Sequence, residues 1–249
     1  MCGRFALTTT PHKIEELFAL IEIDDFPPRY NIAPTQPILA ILAGHGRAPG
    51  SNLPDRRALL VRWGLIPAWA KDPKNLPLFF NARSETAAEK AAFRAAMRHR
   101  RALIPASGFY EWRREGKSRQ AYWVRPNNGG IVAFGGLMET YAEPGGSEID
   151  TAAILTTAAS ADVEHIHDRM PVVIPPEHFA RWLDCRTLEP RDVADLMQAA
   201  DPGMFEAIPV SDKVNAVANV GPELVDRVEP AEASTWPKNE KPAGQLTLF

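Results

Sequence analysis

Between residues 101 and 157 five apolar-rich segments follow one another: RALIPA, FYEWRR, QAYWVRP, IVAFGGLME and TAAILTT. This run constrains the fold more than any other part of the chain, because such short segments separated by turn residues read as successive strands. Gly116-Lys117-Ser118 separates the second from the third, as expected for a hairpin. ILAIL at 38–42, ALLVRW at 58–63, PVVI at 171–174 and a stretch near 205–210 add further strands, and CGRFALTT at 2–9 reads as a short strand carrying the N-terminus into the fold. Helices are fewer. Thr10-Pro11 form an N-cap and first turn, followed by Ile14, Leu17, Phe18 and Ile21 at helical spacing. The alanine-rich stretch 86–98 has good helix propensity, two more helices are predicted near 176–183 and 190–199, and 161–169 reads as one helical turn running into a loop. Strands and helices interleave with no regular βαβ alternation and no GxGxxG, so the pattern predicts one α+β domain.

Two irregular stretches interrupt this pattern. Residues 24–37 (DDFPPRYNIAPTQP) carry four prolines and are expected to form a rigid loop, a suitable platform for presenting Arg29, Asn31 and Pro34 to a ligand. Residues 64–85 set Trp69, Phe79 and Phe80 among prolines and glycine rather than on a helical stripe. For those aromatics core packing is the alternative to ligand stacking, and it suits Trp63 and Phe80 better than Trp69.

Composition excludes more than it assigns. The 249 residues are 45% hydrophobic and 24% charged, enough for a real core. A net charge of −3 leaves nucleic-acid binding to a local patch. Cys2 and Cys185 are the two cysteines, with no CxxC and no His/Cys cluster, so no disulfide framework, metal or cofactor is expected. There is no signal-peptide pattern and no apolar run near the ~20 residues of a membrane span, which predicts a soluble cytoplasmic protein with no membrane partner.

Four polar segments stand in apolar or irregular surroundings: Cys2-Gly3-Arg4, Asn81-Ala82-Arg83-Ser84-Glu85, Gly108-Phe109-Tyr110-Glu111-Trp112 and Ile166-His167-Asp168-Arg169. Removal of Met1 in front of the small Cys2 places a free α-amine and a thiol on adjacent carbons. An α-amine with a pKa of about 7.7–8.0 is partly neutral at pH 7, and a thiol near ~8.5 supplies some thiolate. Together the two groups can close a five-membered thiazolidine on an aldehyde carbon. Glu111, flanked by aromatics, is either desolvated and suited to proton transfer or on a solvent face by simple alternation. His167 suits proton transfer near neutral pH, and equally an ion pair with its neighbours. Asn81 and Arg83 have the right chemistry for a phosphate or sugar oxygen.

In this order the segments CGRF (2–5), RYNIAP (29–34), RWGLIPAW (62–69), NARSET (81–86), IPASGFYEW (104–112), LTTAA (155–159) and IHDRMPVVI (166–174) resemble the SOS response-associated peptidase (SRAP) family, a group that crosslinks to abasic sites in DNA. The resemblance spans roughly residues 1–220. It implies a single domain over 1–228 with a β-barrel-like mixed or antiparallel core and flanking helices. It further implies Cys2 as covalent nucleophile, Asn81 orienting the substrate and the amine, and Glu111 with His167 as the proton-transfer pair. By the same resemblance Arg4 and Arg83 are expected to hold phosphates, and Asn31, Pro34, Trp69 and Thr156 to face DNA. The partner so implied is single-stranded DNA containing abasic sites, with Arg29 and Arg62 adding charge to the channel. The peptidase name implies self-processing that exposes Cys2. An N-terminal-nucleophile peptidase or amidase, and a non-covalent reader of modified DNA, are the alternatives.

From about 229 to 249 the chain is rich in Pro, Glu, Ala and Lys and is expected to be disordered. It ends in Gln245-Leu246-Thr247-Leu248-Phe249, similar to the short peptides that dock on the bacterial sliding clamp. Gln245, Leu246, Leu248 and Phe249 are the candidate clamp-binding residues.

Overall fold

A computed structural model describes residues 2–44, 52, 55–116, 118–143 and 145–229. The tail, and with it the clamp-like peptide, lies outside the described residues. In chain order the elements are β1 (Phe5–Leu7), α1 (Pro11–Phe18), β2 (Arg29–Ile32), β3 (Pro37–Ala43), β4 (Arg56–Trp63), β5 (Asn81–Arg83), α2 (Arg94–His99), β6 (Arg101–Ala106), β7 (Gly108–Glu115), β8 (Ser118–Pro126), β9 (Val132–Ala142), β10 (Glu148–Ala158), β11 (Arg169–Pro171), α3 (Phe179–Leu183) and β12 (Phe205–Val210). The architecture is α+β, mostly strands with few helices.

The strands form two sheets. In one, β4, β3, β6, β9 and β10 pair in that order, and β10 returns to β4, closing a five-stranded barrel. Closure removes open edges and explains how a chain of short apolar strands covers its backbone polar groups. The β10–β4 seam is parallel, through Thr151↔Arg62 and Ala152↔Trp63, while the other barrel pairs are antiparallel. Beyond the seam, β10 carries β5 in parallel and β11 antiparallel. The second sheet is antiparallel throughout, in the order β12-β8-β7-β1-β2.

The strip formed by β1 and β7 is covered on both faces. Phe5, Leu7 and Phe109 belong to the main core, with Phe5 edge-on to Trp63 and Phe134. Ala6 and Tyr110, one residue on, belong to a second cluster with Trp123, Ile208, Val214 and Leu224. Gly108 makes the close approach possible: a Cβ there would lie 2.4 Å from Val124 O.

Several local expectations differ from the structure. Residues 29–32 form β2 because the four prolines of that stretch flank the segment RYNI rather than interrupt it. The first helix stops at Phe18, with Ala19 in the left-handed region, so Ile21 lies outside the buried stripe and is 75% exposed. The predicted 86–98 helix is continuous only over Arg94–His99. Its first half is separate turns closed on Thr86 O and Lys90 O, which bury Ala87 and Phe93. Pro190–Met197 is a 3₁₀ segment, and at 171–174 only Pro171 belongs to β11, with Val173 forming one isolated bridge to Phe134. Among the described residues no helix is long and apolar enough to cross a membrane.

Candidate functional site

The head of the chain enters between the two sheets. Phe5 pairs with Ile32 on one side and Phe109 on the other, and the Tyr110 N–H donates to Arg4 O at 2.9 Å. The residues before Phe5 are thereby led along β7 toward Glu111. On the barrel side β5 reaches the same place: Asn81 Nδ2 donates to Cys2 O at 2.7 Å. The buried Asn81 Oδ1 has no hydrogen-bond partner among the described residues. Alternation along β5 sets Asn81 and Arg83 on one face, with Ala82 buried beneath and Arg83 exposed.

Cys2 is fully buried, its Sγ lying 3.7 Å from Arg4 O. Burial, then the nearby Glu111 carboxylate, push the thiol well above its ordinary pKa. The group is held as a neutral thiol, so the thiolate fraction expected of a free cysteine does not apply to this arrangement. Glu111 is 2% exposed. It shares a face of β7 with Phe109, and that face is turned to the core, because the second cluster covers the other one. Desolvation raises its carboxyl to about 7, against the opposing pull of the amino terminus, the Trp112 N–H and Arg119.

His167 sits on the loop leading into β11. Its Nδ1 accepts the Arg169 N–H at 2.9 Å, which fixes the neutral tautomer with the proton on Nε2. The same nitrogen lies 2.9 Å from the exposed Asp168 carboxylate, a contact that becomes a charged pair only in the imidazolium. Burial, the largest influence, lowers the His167 pKa and favours the neutral ring. The loop is tied to β5 by Arg169, whose two guanidinium nitrogens grip the Glu85 carboxylate; Nη2 donates to Thr156 O as well. That bidentate pair joins the second and fourth polar segments of the sequence.

Gly3, Arg4, Glu111, Trp112, Arg114, Arg119, Ile166, His167 and Asp168 line one cavity of about 640 Å³. Cys2 lies behind this wall.

Two of the residues expected to face DNA do not reach a surface. Asn31 is 3% exposed: its Nδ2 donates to Val214 O, Ala216 O and Asn219 O, and its Oδ1 accepts from Arg4 Nη1 at 2.7 Å. Thr156 is fully buried near the end of β10, its hydroxyl directed to Ala82 O. Each is committed to holding neighbouring backbone. Arg4 is half-buried and also donates to Val214 O and Asn215 O, so it braces the segment after β12 while still lining the cavity. Arg29 is likewise turned inward, onto Pro37 O and Gln36. Pro34 is half-buried at the end of β2, and Trp69 is 56% exposed, anchored by its Nε1 to Ala91 O. Trp63 is buried and belongs to the core. Asn215 is a site residue that sequence reasoning missed: its Oδ1 accepts from Trp112 Nε1 at 2.9 Å while its carbonyl accepts from Arg4. No local motif signals it.

The family model of the SOS response associated peptidase (SRAP) matches residues 1–217. The abasic site processing protein YoqW of Bacillus subtilis (strain 168) is 38% identical over 230 residues, covering 91% of this chain and 99% of the relative. The abasic site processing protein YedK of Escherichia coli (strain K12) is 32% identical over 239 residues, covering 92% and 100%. A crystal structure of a protein from Bacteroides thetaiotaomicron shares the fold with a TM-score of 0.75 at 21% identity, over 92% of this chain and 100% of that one. On these matches, and with the ordered segments assembled around one chain head, the chain belongs to the SOS response associated peptidase (SRAP) family.

Proposed function

We propose that this protein processes abasic sites in single-stranded DNA by forming a covalent crosslink through Cys2 once Met1 has been removed. The observation that carries the reading is the chain head itself: Cys2 is held by Asn81 from one sheet and faces the buried Glu111 of the other. The named activity of the relatives, abasic site processing, points the same way.

In this reading the ring-opened sugar presents an aldehyde at C1′. The neutral α-amine of Cys2 adds to that carbon, and Asn81 Oδ1 accepts one of the amine's N–H groups to aim its lone pair. Loss of water from the carbinolamine needs a proton delivered to the departing hydroxyl. Glu111 titrates near neutrality and supplies it, with His167 as the second proton-transfer group. The resulting imine is open to β-elimination and strand cleavage. The Cys2 S–H instead adds across the C=N bond: sulfur bonds to C1′, the proton ends on nitrogen, and a five-membered thiazolidine closes. A thiol kept neutral by its surroundings suits this last step, because its proton leaves with assistance from Glu111 rather than to bulk water.

Arg83, Pro34 and Trp69 make up the DNA-contacting set on the barrel side, while Asn31 and Thr156 act by positioning the backbone around the site. The unit responsible spans residues 1–228. The peptidase activity is confined to self-processing that exposes Cys2, and the protein works once per molecule in the cytoplasm, at the nucleoid. Gln245, Leu246, Leu248 and Phe249 form a tethered peptide for the sliding clamp, which a clamp pull-down with and without residues 245–249 tests.

The crosslink is tested with an oligonucleotide carrying one abasic site, resolved on a denaturing gel beside Cys2→Ala, with intact mass to verify that the protein starts at Cys2. A heat-stable band without reductant, absent from the variant, is expected. No band from protein with a confirmed Cys2 terminus overturns the reading, and turnover of peptide substrates by that same protein replaces it with an N-terminal-nucleophile peptidase.

A further inference from the structure

The hairpin of β7 and β8 carries a feature that neither the core nor the chemistry at Cys2 explains. Arg114 and Arg119 are direct cross-strand partners, so two guanidinium groups stand side by side on one face of the sheet. Like charges directly opposite each other destabilise a strand pair, whereas opposite charges there stabilise it. Both arginines line the 640 Å³ cavity together with Arg4. Arg119 is held in place: its Cζ lies 4.5 Å from the centre of the Trp112 ring, and that ring is pinned by its own hydrogen bond to Asn215. Neither Arg114 nor Arg119 forms a salt bridge among the described residues, whereas Arg98, Arg100, Arg125, Arg169 and Arg181 all do. Glu111 and Asp168 are the carboxylates that line the same cavity, and Asp168 is turned to solvent beside His167. The hairpin turn itself is a sharp one, with Gly116 at φ 58°, which keeps the two arginines at the tip in register.

We propose that Arg114 and Arg119, backed by Trp112, form a phosphate-binding subsite for the backbone of single-stranded DNA, on the opposite sheet from Arg83. The chain head lies between the two sheets, with Asn81 and Arg83 on the barrel and this pair on the five-stranded sheet. A strand bound to both is held on each side of the nucleotide that reaches Cys2. Two guanidinium groups standing side by side suit successive phosphodiesters of one strand, each accepting from one arginine. Burial, then the proximity of Arg114, lower the Arg119 pKa against the opposing pull of Glu111. The subsite rests on the proposed reading of the protein as a single-stranded DNA binder, and the test separates the two.

The probe is a single-stranded oligonucleotide with one tetrahydrofuran abasic analogue, which has no aldehyde and binds without reacting. Its Kd is measured by fluorescence anisotropy over a salt series for the wild type and for Arg114→Gln/Arg119→Gln. The double variant is expected to bind at least tenfold more weakly at low salt. The slope of log K against log salt should fall in magnitude by about 1.4, since each phosphate contact on a single strand contributes about 0.7. Unchanged affinity and slope in a folded double variant overturn the subsite. If that variant does not fold, Arg114→Gln alone is expected to reduce the slope by about 0.7, and an unchanged slope overturns the subsite equally. A wild type that binds the analogue with this arginine dependence but never crosslinks would sink the covalent reading and leave the subsite standing.

Discussion

Arg4 and Asn31 meet through a 2.7 Å bond from Nη1 to the amide oxygen, and both reach on to the backbone of residues 214–219. This couples the strand that leads from Cys2 to a segment about 200 residues away, and that segment in turn fixes Trp112 through Asn215. Replacing Asn31 with alanine strips one acceptor from a half-buried guanidinium and one donor group from three carbonyls. A loss of about 2–3 kcal/mol is expected, because buried groups left without partners cost more than the bond itself contributed. Urea denaturation of Asn31→Ala measures it. The same variant should crosslink more slowly with a nearly unchanged Kd for the unreactive analogue, since the Asn31 side chain is buried against the backbone of residues 214–219. A large loss of affinity with normal stability would restore Asn31 to the DNA-facing set.

Glu111 gives the protein a pH dependence whose sign follows from its raised carboxyl. In the unfolded chain the group titrates at its ordinary value of about 4.5, and in the folded protein at about 7. Between those values the folded state holds a proton that the unfolded state has released, so stability falls as pH rises from about 4.5 to about 7 and is level above. The full cost of ionising the buried carboxyl is on the order of 3 kcal/mol. Glu111→Gln cannot ionise. It should melt higher than wild type at pH 8, with the difference closing below about pH 4.5. In the crosslinking assay the wild type should show a rate limb with its midpoint near pH 7 that Glu111→Gln lacks. Parallel melting temperatures across the range would show that burial does not set the ionisation of this group.

Asn81 is half-buried and makes one strong bond, to Cys2 O. Asn81→Ala should cost no more than about 1 kcal/mol of stability. Its effect on single-turnover crosslinking should be far larger, about ten- to a hundredfold, because an amine left free to rotate loses its alignment with the aldehyde. Asn81→Asp keeps an acceptor for the amine but gives up the donor to Cys2 O, and should fall between the two. Equal rates for all three proteins would remove Asn81 from the reaction.

Much of this site was legible in the sequence because its residues occur in short polar runs set among apolar or irregular ones. Cys2, Asn81, Glu111 and His167 are all recognisable that way, as are the strands between 101 and 157. What stayed hidden depends on distant parts of the chain. Alternation along β7 left Glu111 free to face solvent or core; the second apolar cluster, built partly from Ile208, Val214 and Leu224, decides it by occupying the other face. A polar residue in a proline-rich stretch resembles a ligand contact, yet the carbonyls that claim Asn31 lie 183 to 188 residues onward. Propensity misled at 86–98 for a related reason: burial of Ala87 and Phe93 against the core outweighs the preference of alanine for continuous helix. The pairing of Arg114 with Arg119 was hidden too: a turn of 116–118 would set Arg114 opposite Gln120, whereas Ser118 belongs to β8 and pairs with Glu115, which sets Arg114 opposite Arg119.

Trp63, the last residue of β4, and Trp69, within the irregular stretch before β5, separate packing from stacking. Trp69 is 56% exposed, with its indole nitrogen anchored to Ala91 O, so the ring is presented in a fixed orientation at little cost to the core. Trp63 is wholly buried, edge-on to Phe5 and Phe80, with its own nitrogen bonded to Phe80 O. Trp69→Ala should leave the melting temperature within a few degrees of wild type and weaken binding of a single-stranded oligonucleotide by about 1–3 kcal/mol, the range for one base stacked on one aromatic ring. Trp63→Phe, a milder change than truncation, should lower stability by about 1–3 kcal/mol through the lost volume and the unpaired Phe80 carbonyl. Its affinity, measured on the folded fraction, should be unaltered. If Trp69→Ala binds as tightly as wild type, the strand does not pass over that ring, and Arg83 becomes the barrel-side contact to examine next.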